Sequence, residues 1–116
     1  MILVIDDNQD LAKIFCEYLN MVGYNAIAVY SGEEGIAIAK EQKPRAIVCD
    51  IAMSGMSGYD VATCIRRDDE LEDVYLIALS GYSSQKDVEC ALQAGFDKHL
   101  RKPVSLAVLK QVLDGC

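Results

Sequence analysis

The sequence alternates short apolar runs with amphipathic stretches five times over, and no other feature constrains its fold as much. The apolar runs are residues 2–5, 26–30, 46–49, 74–79 and, more weakly, 98–100. Several are rich in Ile and Val and lack polar alternation, which suits strands covered on both faces. The stretches between them read as helices. Leu11, Ile14, Phe15, Tyr18, Leu19 and Val22 form one apolar stripe at helical spacing, and Gly23 supplies a stop. Ser31 stands at an N-cap position, with Glu33 and Glu34 in the first turn, where the helix dipole favours anions. That helix is predicted to end near Gln42, because Pro44 prevents its continuation. Ser57 or Gly58 opens a third helix, Ser83 or Ser84 a fourth that stops at Gly95, and Ser105 the last.

Strands alternating with helices imply parallel strands joined by right-handed crossovers. The predicted class is α/β: a doubly wound, five-stranded parallel sheet, flavodoxin-like and (βα)5, in strand order 2-1-3-4-5. The 116 residues are read as a single domain, 1–116, long enough to build a core without staples.

In such sheets ligands bind outside the carboxyl ends of the strands. Strand 1 is followed by Asp6-Asp7, strand 3 by Asp50, strand 4 by Ser80-Gly81 and strand 5 by Lys102-Pro103; strand 2 contributes no charged group. Strands 1 and 3 are neighbours in the predicted order, so three carboxylates converge, with a hydroxyl and an ammonium beside them. Crowded carboxylates either take up protons or bind a cation. Hard oxygen ligands select Mg²⁺ or Mn²⁺ over zinc. The lysine and the hydroxyl suit phosphate oxygens. The chemistry that uses all five groups is phosphoryl transfer to a carboxylate, one Asp serving as nucleophile. Each residue alone has a plainer reading. Asp7 or Asn8 could cap the first helix, Lys102 could be solvated, and Ser80 could be a turn residue. Their common placement at strand ends favours the site.

Composition removes other classes. Eighteen acidic against 11 basic residues, net −7, leave no basic face for nucleic acid and fit a cation or a basic protein surface. No apolar run approaches the ~20 residues of a membrane span. The start, MILVIDD, lacks the basic region of a signal peptide, so a cytoplasmic domain without membrane contact is expected. Cys16, Cys49, Cys64, Cys90 and Cys116 are scattered with no CxxC pair and read as reduced thiols. With a single histidine, structural zinc is disfavoured. There is no G-x-x-x-x-G-K-[ST], and no G-x-G-x-x-G follows the first strand. The acids between 68 and 73 read as a solvated helix end and loop without EF-hand spacing.

VIDDN at 4–8, CDIAMSGMSGYD at 49–60, ALSGY at 78–82 and AGFDKHLRKPV at 94–104 together resemble the receiver domain of two-component response regulators, a CheY-like domain. The likeness spans nearly the whole chain, and the GFDKHLRKP stretch looks especially like receivers of hybrid sensor kinases. The resemblance implies that Asp50 accepts phosphate from a histidine kinase or a histidine phosphotransfer domain. It implies Mg²⁺ (or Mn²⁺) held directly by Asp7, Asp50 and the Ala52 carbonyl, with Asp6 acting mainly through water. Lys102 would contact the phosphoryl group, ahead of a cis Lys102–Pro103 bond, and Ser80 would shift toward the phosphoryl oxygens. The face made by helix 4, strand 5 and helix 5 would respond. Such a domain is no general enzyme; it catalyses only its own phosphorylation and dephosphorylation. The expected assembly is a monomer or weak dimer, as a stand-alone regulator or beside an effector or fused kinase in a longer protein.

Three departures from the family pattern stand out, the last involving two residues. The usual proline of the loop after the acceptor is Ser54, which is expected to loosen that loop. His99 stands at the switch position, usually Tyr or Phe, and reads equally as a switch or as a strand histidine with no such role. Ala52 and Tyr82 occupy positions that tune phosphate lifetime in the family. Two other functions are weighed: a receiver-fold scaffold that is not phosphorylated, and an aspartyl-phosphate phosphatase. The latter would want a D-x-D pair and a cap insertion that the chain lacks.

Overall fold

The computed structural model describes residues 1–81 and 84–115. The strands are β1 (Ile2–Ile5), β2 (Ala26–Val29), β3 (Ala46–Asp50), β4 (Tyr75–Ser80) and β5 (Lys98–Arg101). The helices are α1 (Gln9–Met21), α2 (Gly32–Gln42), α3 (Gly58–Arg66), α4 (Gln85–Ala94) and α5 (Leu106–Asp114). All strand pairs are parallel, in the order β2-β1-β3-β4-β5. This is the expected doubly wound sheet.

Strand alternation divides the core into two layers. Leu3, Ile5, Ile47, Cys49, Leu76 and Ala78 face α2, α3 and α4, whose Val61, Ile65 and Ala91 cover them. Ile2, Val4, Val48, Ile77 and Leu79 face α1 and α5, whose Phe15, Leu19, Leu109 and Leu113 cover the other side. Every residue of β1 and β3 is buried, which explains why those runs show no polar alternation.

The caps follow the sequence with some choices resolved. Asn8, not Asp7, caps α1, accepting from the Leu11 N–H. Ser31, Ser57 and Ser84 cap α2, α3 and α4, the last two with reciprocal capping boxes to Asp60 and Asp87. The alternative cap Ser83 lies outside the described residues. Ser105 stands at the N-cap of α5 without a side-chain capping bond.

Three local expectations are revised. Ile14 belongs to the apolar stripe of α1 but is 50% exposed, because the helix rests on Ala12, Phe15, Cys16 and Leu19. Small Ala12 and Cys16 let the helix sit close, and the contact arc rotates away from Ile14. β4 starts at Tyr75 rather than residue 74 and runs through Ser80. The acidic segment contains a 3-10 turn, Asp69–Leu71, whose Leu71 is buried, so it is anchored rather than wholly solvated. The thiols of Cys16, Cys49, Cys64 and Cys90 are unpaired; Cys116 lies outside the described residues.

Candidate functional site

The site stands on three strand tips of one face. Asp6 lies two residues beyond Val4, Asp50 two beyond Val48 and Lys102 two beyond Leu100, and all three apolar residues belong to the layer under α1 and α5. The period of two therefore carries the polar groups onto the same side at the strand ends. β1 and β3 are adjacent although 40-odd residues of chain separate them, so Asp6, Asp7 and Asp50 meet. One carboxylate oxygen from each lies within 4.8 Å of the others.

The surroundings fix each group differently. Asp6 is 1% exposed; its Oδ1 accepts the Asn8 N–H at 3.0 Å. Asp50 is 4% exposed and is the last residue of β3. Lys102 reaches across from the β5–α5 turn, its Nζ 2.9 Å from Asp50 Oδ1 and 3.5 Å from Asp6 Oδ2. The Lys102 N–H donates to the Ser80 carbonyl at 2.8 Å, prolonging the β4–β5 ladder to the site. The Lys102–Pro103 peptide is cis. Asp7 is exposed, and its Oδ2 accepts the Ser54 N–H at 2.9 Å.

The loop after Asp50 is held hard against the strand. A Cβ at Gly58 would stand 2.5 Å from the Asp50 carbonyl oxygen and 2.7 Å from the Ile51 Cα, backbone atoms that cannot yield. Only glycine lets α3 start there, with the Gly58 N–H donating to the Ile51 carbonyl at 3.0 Å.

Burial raises the Asp50 carboxyl above its ordinary 3.8, and the Asp6 and Asp7 charges add to the rise; the Lys102 contact opposes them without cancelling them. Burial by itself lowers the Lys102 ammonium, but its contacts with Asp50 and Asp6 outweigh that and the net shift is upward. The lysine is therefore a fixed positive charge facing an excess of negative charge. Such a site favours one more cation, and its donors are all carboxylate oxygens, with no thiolate or imidazole in the cluster. That set fits Mg²⁺ or Mn²⁺ rather than zinc.

The remaining expected residues fall around this centre. Ser80 is 3% exposed at the tip of β4, two residues beyond Ala78 and so on the opposite parity, towards the layer of α4. Ala52 is exposed in the loop two residues past Asp50. His99 is half-buried opposite Ala78, and its Nε2 is buried with no hydrogen-bond partner among the described residues. Tyr82 lies outside the described residues. Two features escaped the sequence reading. Leu11 and Phe15 of α1 line a mostly apolar groove with Pro103, Val104 and the stem of Lys102, at the edge of the acidic cluster. In the sequence both α1 residues read simply as members of the helix's apolar stripe. The Ser54–Asp7 bond was also missed, although serine in place of proline was its visible signal.

The sequence pattern of the family described as response regulator receiver domain matches residues 2–114. The chain belongs to this family. Among its relatives is the polar-differentiation response regulator DivK of Brucella anthropi, 30% identical over 105 residues, covering 90% of this chain and 85% of the relative. The receiver domain of sensor histidine kinase PA1611 from Pseudomonas aeruginosa superposes with a TM-score of 0.89 at 31% identity, over 98% of this chain and 93% of that one. That structure has a magnesium ion coordinated in its active-site cleft. The receiver domain of a signal transduction histidine kinase from Syntrophus aciditrophicus gives a TM-score of 0.89 at 26% identity, over 98% and 86% of the two chains. The chain is thus a CheY-like receiver domain of two-component signalling, a signalling module rather than a general enzyme. Among the described residues, no helix is long and apolar enough to cross a membrane.

Proposed function

We propose that this receiver domain accepts a phosphoryl group on Asp50 from a phosphohistidine of a histidine kinase or a histidine phosphotransfer domain. The observation that carries the reading is the convergence of three carboxylates with the Lys102 ammonium at 2.9 Å from Asp50. Asp50, Asp7 and the Ala52 carbonyl would hold Mg²⁺, with Asp6 acting through water. The magnesium of the PA1611 receiver supports this assignment. Bound Mg²⁺ supplies positive charge to the transferring oxygens.

The protein's own groups do the rest. An Asp50 oxygen attacks phosphorus, a P–O bond forms, and the P–N bond breaks with its electron pair leaving on the donor imidazole. Lys102 leaves Asp50 to pair with the incoming phosphoryl oxygens, and Ser80 donates to another. The groove of Leu11, Phe15, Pro103 and Val104 borders Lys102 and suits an apolar helix face of the donor, which brings its histidine to Asp50.

The added charge draws Ser80 inward and shifts the population of the α4–β5–α5 face. Among the residues of α4 only Ala91 is buried. His99, whose buried Nε2 has no hydrogen-bond partner among the described residues, belongs to the same face. Acetyl phosphate with Mg²⁺ is expected to label the parent and not Asp50→Asn; equal labelling of both would remove Asp50 as acceptor. Beryllofluoride with Mg²⁺ is expected to move backbone resonances on α4, β5 and α5. Changes confined to the pocket would count against the switching face.

A further inference from the structure

Ser54 stands where the family usually has proline, and the difference is chemical as well as conformational. Proline has no N–H, so it cannot make the bond that Ser54 makes to Asp7 Oδ2 at 2.9 Å. The donor is presented by a loop whose base is closed. The Met53 and Gly58 N–H groups both donate to the Ile51 carbonyl, at 3.1 and 3.0 Å, and Gly58 packs against Asp50 itself. Gly55, at φ +75, turns the chain directly after the donor. The bond therefore joins the loop after the acceptor strand to the loop after β1, across 47 residues of sequence.

We propose that the Ser54 backbone N–H is a positioning donor that orients Asp7 for the metal, a role the usual proline cannot fill. Asp7 is the exposed carboxylate of the cluster, while Asp6 and Asp50 are buried. An exposed side chain loses rotamer freedom when it binds a cation, and a donor that already holds it removes part of that cost. The same bond offsets the looser backbone expected of serine, because it ties the loop at the position where proline would have stiffened it. The inference rests on the reading of Asp7 as a metal ligand. Ser54 touches neither phosphoryl group nor metal in this role; it acts through Asp7.

The test separates backbone from side chain. Ser54→Ala keeps the N–H, and Ser54→Pro removes it while restoring the family's usual residue, which the loop is expected to accept. Mg²⁺ alone is titrated calorimetrically into the parent chain and both variants, with folding checked by circular dichroism. The expected result is parent-like affinity for Ser54→Ala and about three- to tenfold weaker binding for Ser54→Pro, the worth of one hydrogen bond. Equal weakening in both variants, or Ser54→Pro binding as tightly as the parent, overturns the inference. Should Ser54→Pro misfold, hydrogen exchange of the metal-free parent decides. The Ser54 amide is expected to be protected despite its exposure, and exchange at the unprotected rate refutes the bond. A parent that binds no Mg²⁺ at millimolar concentration defeats the metal reading itself, which is a different outcome from a parent that binds and a Ser54→Pro that matches it.

Discussion

The sheet carries a charged cluster near each of its ends, and the two are built on opposite rules. At the amino ends, Arg66 from the last turn of α3 donates through Nε to the Gly95 carbonyl at 2.8 Å and through Nη1 to the Glu72 and Val74 carbonyls at 3.1 and 2.8 Å. Its Nη2 meets Asp97 Oδ2 at 2.7 Å, and the same oxygen accepts the Leu76 N–H at 2.9 Å. One cation thus ties the end of α3, the segment entering β4 and the turn from α4 into β5. At the carboxyl ends, three carboxylates cluster about one lysine, which pairs with Asp50 and Asp6, and burial holds the Asp50 carboxyl above its ordinary pKa. The first cluster matches donors to acceptors and stabilises the fold. The second leaves negative charge in excess, and under the proposed function that excess attracts a cation, whose charge with that of Lys102 would then serve the phosphoryl group. A polar cluster's function is read from what it leaves unmatched.

The largest effect expected from disturbing this contrast is on chemistry. Lys102→Ala should slow labelling by acetyl phosphate about 10²–10³-fold, since it removes the fixed charge that meets the phosphoryl oxygens. A rate within a few-fold of the parent would show the lysine to be a stability residue like Arg66. Arg66→Met should do the reverse, costing about 1–3 kcal/mol in urea unfolding through the loss of several donors, with labelling nearly unchanged. An unfolding midpoint equal to the parent's would remove the distinction from the other side.

Asp50→Asn should raise the melting temperature of the metal-free domain at neutral pH by a few degrees, because it relieves burial and repulsion of charge. The sign follows from proton counting. The folded Asp50 carboxyl titrates above the unfolded one, so between the two values the folded state binds more protons, and parent stability falls as pH rises through that window. The gain from Asn should therefore be full above the raised value and vanish below 3.8, the ordinary value. A gain independent of pH would attribute it to packing. The smallest effect concerns Mg²⁺, which should stabilise the parent against heat and stabilise Asp50→Asn less. Equal stabilisation of both would place the cation elsewhere.

The sequence determined a good deal. The alternation of apolar runs with helical stripes was enough for the strand order, because parallel crossovers admit few solutions. Residue type at each strand end was enough to expect Asp6, Asp7, Asp50 and Lys102 beside one another, because the topology rule puts those ends together. What tertiary structure alone decided was which atoms pair. Lys102 lies 96 residues from Asp6 and Ser54 lies 47 from Asp7, and no local pattern encodes contacts at such separations. The rotation of α1 that exposes Ile14 depends on how closely Ala12 and Cys16 let the helix approach the sheet, a property of both surfaces. Serine in place of proline was legible as a difference; its meaning required a carboxylate within reach of the freed N–H, and only the folded chain brought one there.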